Sequence, residues 1–175
     1  MSRRIVAAAV LLLALIGAEK VEAQVAIGPQ VVWADDTDFG IGARAHISVG
    51  DLFGAGEGPL ANLLTTVTGT FFFPDCGVST VDCDYLELSG NLVVPFETAG
   101  SFKPYAGAGV YLGRFSADSE YSGPFEVSGS DTELGLGLVG GGLFQLGALD
   151  AFTEARFNLS GYDQFMLTFG VLFGR

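Results

Sequence analysis

The chain has 175 residues, of which 20 are acidic and 8 are basic, so its formal charge at pH 7 is −12. Because phosphate binding needs clustered Lys and Arg, this balance argues against a nucleic-acid partner. Hydrophobic residues make up 49%, with 26 Gly and 15 Phe, which is high for a soluble secreted domain. The sequence has no P-loop, dinucleotide fingerprint or CxxC pair, so we expect no cofactor.

The first 23 residues resemble a secretory signal peptide. A pair of arginines precedes an apolar run over 5–18, which is too short to span a bilayer comfortably. Small residues then lead to a predicted cleavage between Ala23 and Gln24. We therefore expect a signal peptide over 1–23 and one domain over 24–175, with a retained membrane anchor as the alternative.

Two alternating segments open the domain. The first, Val25–Trp33, sets apolar residues on one face. The second, over 37–50, sets Phe39, Ile41, Ala43, Ala45, Ile47 and Val49 against Gly40, Gly42, Arg44, His46 and Ser48. Successive strand residues point to opposite faces, so each segment predicts a strand. In a soluble protein the apolar face would be the core, whereas in an outer-membrane barrel it would face lipid.

Three more strands are predicted in the middle of the chain. Asn62–Phe73 alternates apolar residues with Thr66, Thr68 and Thr70, and Pro74 follows it. The stretch 84–96 sets four apolar residues against Glu87, Ser89 and Asn91, and Pro104–Phe115 forms the fifth segment.

The last three predicted strands follow an acidic stretch over 116–131, interpreted as the longest loop. The sixth, over 132–146, alternates leucine with glycine or valine. The seventh, over 151–160, sets Ala155, Phe157 and Leu159 against Glu154, Arg156 and Asn158. The eighth, over 164–173, is rich in phenylalanine. Strands of about ten residues suit a tilted bilayer crossing.

Connections and aromatic residues give further signals. With the N-terminus in the periplasm, the outer connections hold the acidic and cysteine-containing stretches, while those near 97–101 and 147–150 are compact. Aromatic residues at the strand ends predict two girdles at the membrane interfaces. We expect Trp33, Phe39, Phe71, Phe73, Phe115 and Phe165 at the outer rim, and Phe53, Phe96, Phe102, Phe144, Phe152 and Phe173 at the periplasmic rim.

The stretches "KPYAGAGVYLG" and "FTEARFNL" and the Phe-rich final strand resemble the small eight-stranded outer-membrane barrels of the OmpA/OmpX type. The resemblance implies an all-β, antiparallel, up-and-down barrel in the bacterial outer membrane. It also implies outer-membrane lipid, lipopolysaccharide and the barrel assembly machinery as partners, and a monomer. One departure is that Gly174 and Arg175 follow Phe173, where such barrels usually end on an aromatic residue.

The polar faces predict a filled lumen. If the apolar faces meet lipid, Arg44, Glu87, Glu154 and Arg156 all point inward, where an eight-stranded barrel has little free space. A buried charge needs a partner, so we expect Arg44 to lie within reach of Glu87 or Glu154, with Arg156 completing the network. An ion-conducting path through the lumen is the alternative.

Other chemistry is sparse. His46 and Ser48 form the His-x-Ser spacing found in outer-membrane lipid A deacylases, but on a face expected to point into the lumen. The two cysteines, Cys76 and Cys83, lie close in sequence in a secreted chain and predict a disulfide.

The outer loops are rich in carboxylates, which are either a solvated acidic surface or weak sites for divalent cations. These residues are Asp35, Asp36, Asp38, Asp75, Asp82, Asp84, Asp118, Glu120, Glu126, Asp131, Glu133 and Asp163. We favour a structural or surface-interaction barrel that is not an enzyme. A narrow pore or small-ligand transporter and a lipid-directed enzyme are the other classes.

Overall fold

The computed structural model describes residues 25–49, 62–76, 81–119, 128–147, 149–161 and 163–174. The predicted signal peptide and its cleavage residues, Ala23 and Gln24, lie outside them. The strands are β1 (Val25–Ala34), β2 (Asp38–Ser48), β3 (Leu64–Phe72), β4 (Val81–Pro95), β5 (Lys103–Ser119), β6 (Ser128–Leu146), β7 (Leu149–Asn158) and β8 (Phe165–Leu172).

Each strand pairs antiparallel with the next, and β1 pairs with β8, so the sheet closes into a barrel. The predicted all-β, eight-stranded antiparallel fold is therefore confirmed. Among the described residues, no helix is long and apolar enough to cross a membrane.

The two ends of the barrel differ. We call the end that carries the β1–β2, β3–β4, β5–β6 and β7–β8 connections the extended rim, because β4, β5 and β6 project beyond their neighbours there. We call the other end the terminal rim, since the start of β1 and the end of β8 lie at it.

Alternation along the strands decides which side chains line the lumen. In β2, Arg44 and His46 are buried inside, whereas Ile41 points outward and is 47% exposed. Outward apolar residues on the other strands are similarly exposed, among them Val31, Val67, Leu88, Leu136 and Phe169. The barrel thus has an apolar exterior and a partly polar interior, which is the inverse of a soluble domain. Val49, predicted to face lipid, is instead buried beyond the end of β2.

Large aromatic rings fill much of the lumen, and most stand opposite a glycine. The directly paired positions are Phe72 with Gly40, Tyr105 with Gly141, Tyr111 with Gly135 and Phe152 with Gly170. Each of these rings lies where the glycine's side chain would be. Glycine is therefore required at these positions by the close approach of a ring, and the narrow lumen is packed like a protein core.

Two aromatic residues assigned to the girdles point into the lumen instead of toward lipid. Phe152 is 1% exposed and lies inside, and Phe115 packs against a buried cluster in the lumen. The girdle prediction is wrong for both residues. A phenylalanine at a strand end fits either face, because an eight-stranded lumen needs volume as much as it needs polarity. Phe53 lies outside the described residues.

A three-stranded sheet projects from the extended rim. It consists of the first residues of β4, the last of β5 and the first of β6, paired from Val81 with Ser119 and from Asp118 with Ser128. The stretch 116–131 is predicted to be one long loop, and this is wrong at both of its ends, because 116–119 belong to β5 and 128–131 belong to β6. The sequence of this stretch does not alternate between polar and apolar residues, since both faces of a sheet outside the membrane can be solvated.

The predicted disulfide joins Cys76 to Cys83. Cys76 follows β3, while Cys83 lies within β4 rather than in a loop, so the bridge ties the β3–β4 connection to the base of the projecting sheet. Neither cysteine is free.

Candidate functional site

A charged pair crosses the middle of the lumen from β2 to β7. Arg44 donates two hydrogen bonds to Glu154, from Nη1 to Oε2 at 2.8 Å and from Nη2 to Oε1 at 2.5 Å. The Tyr105 hydroxyl donates to Glu154 Oε2 at 2.8 Å, and Arg44 Nε donates to Gln30 Oε1 at 3.0 Å. The guanidinium also lies 4.4 Å from the ring centroid of Phe152. Such a bidentate, fully bonded pair is the arrangement that makes a buried charge tolerable.

A second charged pair lies between β4 and β7. Arg156 Nη2 donates to Glu87 Oε1, and Arg156 Nη1 donates to Ser89 Oγ at 2.9 Å. Ser89 in turn shares a hydrogen bond with Thr68. All four charged residues of the two pairs are at least 94% buried, and their formal charges cancel.

The strand register brings these groups together. Glu154 and Arg156 are two residues apart on β7, so both point inward from one strand toward different partners. Arg44 lies 110 residues from Glu154, and Glu87 lies 69 from Arg156. The four residues expected in the lumen are all there, with Arg44 beside Glu154 rather than Glu87.

Apolar clusters close the lumen on both sides of the charged pairs. At the terminal rim, the terminal-rim plug consists of Ala26, Val93, Tyr105, Val139, Leu143, Phe152 and Leu172, all buried. At the extended rim, the extended-rim plug consists of Val32, Ala34, Phe72, Tyr85 and Met166. The polar layer is thus enclosed between two apolar layers.

The two plugs and the hydrogen-bond partners Gln30 and Tyr105 are not among the residues predicted from the sequence. The plugs use apolar residues on faces that are otherwise polar, so they weaken the alternation that identifies a lumen face. The available signal was a large residue on a polar face near a strand end, such as Phe72 or Tyr105, with a glycine on a neighbouring strand.

His46 lies inside the barrel, 5% exposed, with its ring 5.6 Å from that of Phe152. Ser48 is two residues further, at the end of β2 and partly exposed. A deacylase must present its nucleophile to lipid, so this placement does not favour lipid chemistry. Among the described residues, no group of three or more His, Cys, Asp or Glu is arranged to hold a metal.

Comparisons with known proteins place this architecture. No protein-family model matches the chain, and no curated protein matches it. Neisserial surface protein A is 21% identical, with a TM-score of 0.62, covering 86% of this chain and 96% of that protein. The fold is that of the small outer-membrane barrels.

Two further structures share this outer-membrane barrel fold. A major outer membrane protein of Thermus thermophilus is 12% identical, with a TM-score of 0.60, covering 86% of this chain and 98% of that one. The N-terminal β-barrel domain of Pseudomonas aeruginosa OprF is 12% identical, with a TM-score of 0.56, covering 87% and 99%.

Proposed function

We propose that the chain is a small bacterial outer-membrane protein with a structural or surface-interaction role, and not an enzyme. Residues 1–23 would be a cleaved signal peptide, and residues 24–175 would insert as a monomer with help from the barrel assembly machinery. The exterior supports a lipid and lipopolysaccharide environment, because its outward strand residues are apolar. The observation that carries the role is a closed lumen combined with a projecting sheet.

The closed lumen argues against the alternative of a narrow pore or transporter. Ions would have to pass both apolar plugs, and the charges between the plugs are already paired. The polar layer would conduct only if both plugs opened.

We expect the purified protein to need detergent, to show heat-modifiable gel mobility and to produce no steady conductance in planar bilayers. A double substitution, Phe152→Ala with Phe72→Ala, removes one ring from each plug, and its conductance is compared with that of the natural sequence. Steady single-channel currents from the natural sequence would contradict the closed lumen and favour the pore. Recovery from the soluble fraction without detergent would contradict the location as well.

The projecting sheet offers an edge for surface interaction. From Gly137 onward β6 pairs with β7, but among the described residues no strand covers that side of β6 before Leu136. Because Leu136 accepts from Leu159 on that side, alternation turns the backbone of Thr132 to the same open side. The Asp131 carboxylate accepts from the Thr132 N–H at 2.9 Å, which protects the edge.

The partner that fits this edge is an extended peptide segment with basic side chains. Lys or Arg could pair with Asp131 and release the Thr132 N–H, so that the segment adds to the sheet as a further strand. The disulfide at the opposite side of the sheet would help to hold it rigid.

Thr132→Pro is expected to weaken binding of a synthetic alternating lysine–valine peptide about tenfold or more, because proline removes the edge N–H. Thr132→Ala is the matched control and should bind like the natural sequence, since it keeps the N–H. Binding would be measured by fluorescence anisotropy on detergent-solubilised barrel. If both variants bind equally well, attraction to the acidic surface is sufficient and the edge has no role.

A further inference from the structure

The seam that closes the barrel is interrupted. β1 pairs with β8 over Gln30–Ala34, opposite 166–170. Nearer the terminal rim, within the described strands, the ladder continues only as an isolated bridge between Ile27 and Phe173. Both parts have the same register, so two consecutive pairs are absent between them. The other seven seams run as continuous ladders.

A proline lies at the interruption. Ile27 and Phe173 exchange two backbone hydrogen bonds, at 2.8 and 2.9 Å, so alternate residues of β1 turn their backbone groups toward β8. Pro29 is the next of these residues, and it has no N–H to donate. In this register it stands opposite Val171, whose carbonyl therefore receives no donor from Pro29. Gly28 adds to the effect, because the Val171 carbonyl oxygen occupies the place where a side chain would be.

The interruption lies beside the terminal-rim plug. Ala26 and Leu172, on opposite sides of the seam, both belong to that plug and are 7% and 4% exposed. On the extended-rim side of the gap, Gly170 is the last β8 residue that pairs with β1. The conformational freedom of glycine allows strand β8 to change direction there. If β1 and β8 separate between Gly170 and the terminal rim, the terminal-rim plug loses its contacts across this seam. The charged pairs, which lie farther from that rim, stay enclosed.

We propose that the β1–β8 seam opens locally at the terminal rim, from Pro29 to the end of the strands, while Gln30–Ala34 stay paired with β8. The opening segment is held by one bridge, whereas the segment above it is a continuous ladder. Local opening needs little free energy where few backbone hydrogen bonds must break. The β1–β8 seam is therefore the place where the barrel opens sideways and exposes its terminal-rim plug without unfolding.

Amide hydrogen exchange on the detergent-solubilised barrel tests this proposal. We expect the amides of Ile27 and Phe173 to exchange about tenfold faster than those of Val31 and Phe169, the corresponding pair above the gap. The amide of Val49 donates to Leu63 at the same rim in another seam and controls for fraying of strand ends. Equal protection of Ile27, Phe173 and Val49 would overturn the proposal.

Pro29→Ala supplies the missing donor and should slow exchange at Ile27 and Phe173 severalfold. Pro104→Ala is the matched control, because Pro104 accepts from Phe96 at the rim end of another ladder and borders no interruption. Exchange that stays unchanged in Pro29→Ala, or slows as much in Pro104→Ala, would show that the proline does not cause the opening.

Discussion

Glu154→Ala is expected to lower the free energy of unfolding by about 3–5 kcal/mol, because it strands the Arg44 guanidinium in a closed lumen. Glu154 accepts two hydrogen bonds from Arg44 and a third from Tyr105, so these three donors lose their acceptor. The measurement is guanidinium-induced unfolding of the barrel reconstituted in lipid vesicles, followed by tryptophan fluorescence.

Glu97→Ala is the control for this substitution, since Glu97 is exposed at the terminal rim and accepts one long hydrogen bond, from Asn62 at 3.5 Å. Its effect should stay within about 0.5 kcal/mol. Glu154→Gln should fall between the two, because it keeps an acceptor and the shape while losing the charge. Equal destabilisation by Glu154→Ala and Glu97→Ala would reject the charged pair as a stabilising element.

Gly141→Ala is expected to destabilise the barrel by about 3 kcal/mol through overpacking. A methyl group on Gly141 would stand 2.7 Å from the Tyr105 ring and would also collide with the Thr153 carbonyl. Displacing that ring would further disturb its hydrogen bond to Glu154. The same unfolding measurement would report the loss.

The neighbouring residue provides an unusually close control. Gly140 points outward, and no described atom lies within 4 Å of where its methyl group would be. Gly140→Ala should therefore be neutral or raise stability by up to about 1 kcal/mol, since glycine weakens a strand interior. If adjacent substitutions on the two faces of β6 have the same effect, the packing of Tyr105 onto Gly141 has no energetic weight.

The faces of the strands could be predicted from sequence because lipid and a charged lumen impose opposite polarity on alternate residues. Arg44 illustrates this, since a guanidinium on a strand whose other face is apolar has only one side on which it can be paired. The choice of Glu154 as its partner could not be predicted. It depends on strand tilt and register, which bring β2 and β7 together across the lumen without any signal in either segment.

The aromatic plugs escaped prediction for a different reason. Phe72 and Phe152 are apolar residues on the inner face. Their sequence signature is a glycine on a neighbouring strand, and it becomes informative only once the strand pairing is known. The projecting sheet was missed because outside the membrane neither of its faces must be apolar. Pairing there is set by continuation of the ladder and not by side-chain periodicity.

The strand order has a consequence for how the barrel assembles. Seven of the eight seams join strands that follow one another in sequence, so each can form as a local hairpin. Only the β1–β8 seam joins distant parts of the chain; at the extended rim it pairs Ala34 with Met166. The entropy lost on closing a loop grows with the logarithm of its length, by about 0.6 kcal/mol for each doubling. Once the seven hairpins have formed, little unpaired chain remains between β1 and β8, so the remaining loop-closure entropy is small. The pairing of β1 with β8 that closes the ring is the one step that joins strands distant in sequence, and this seam has the fewest backbone pairs.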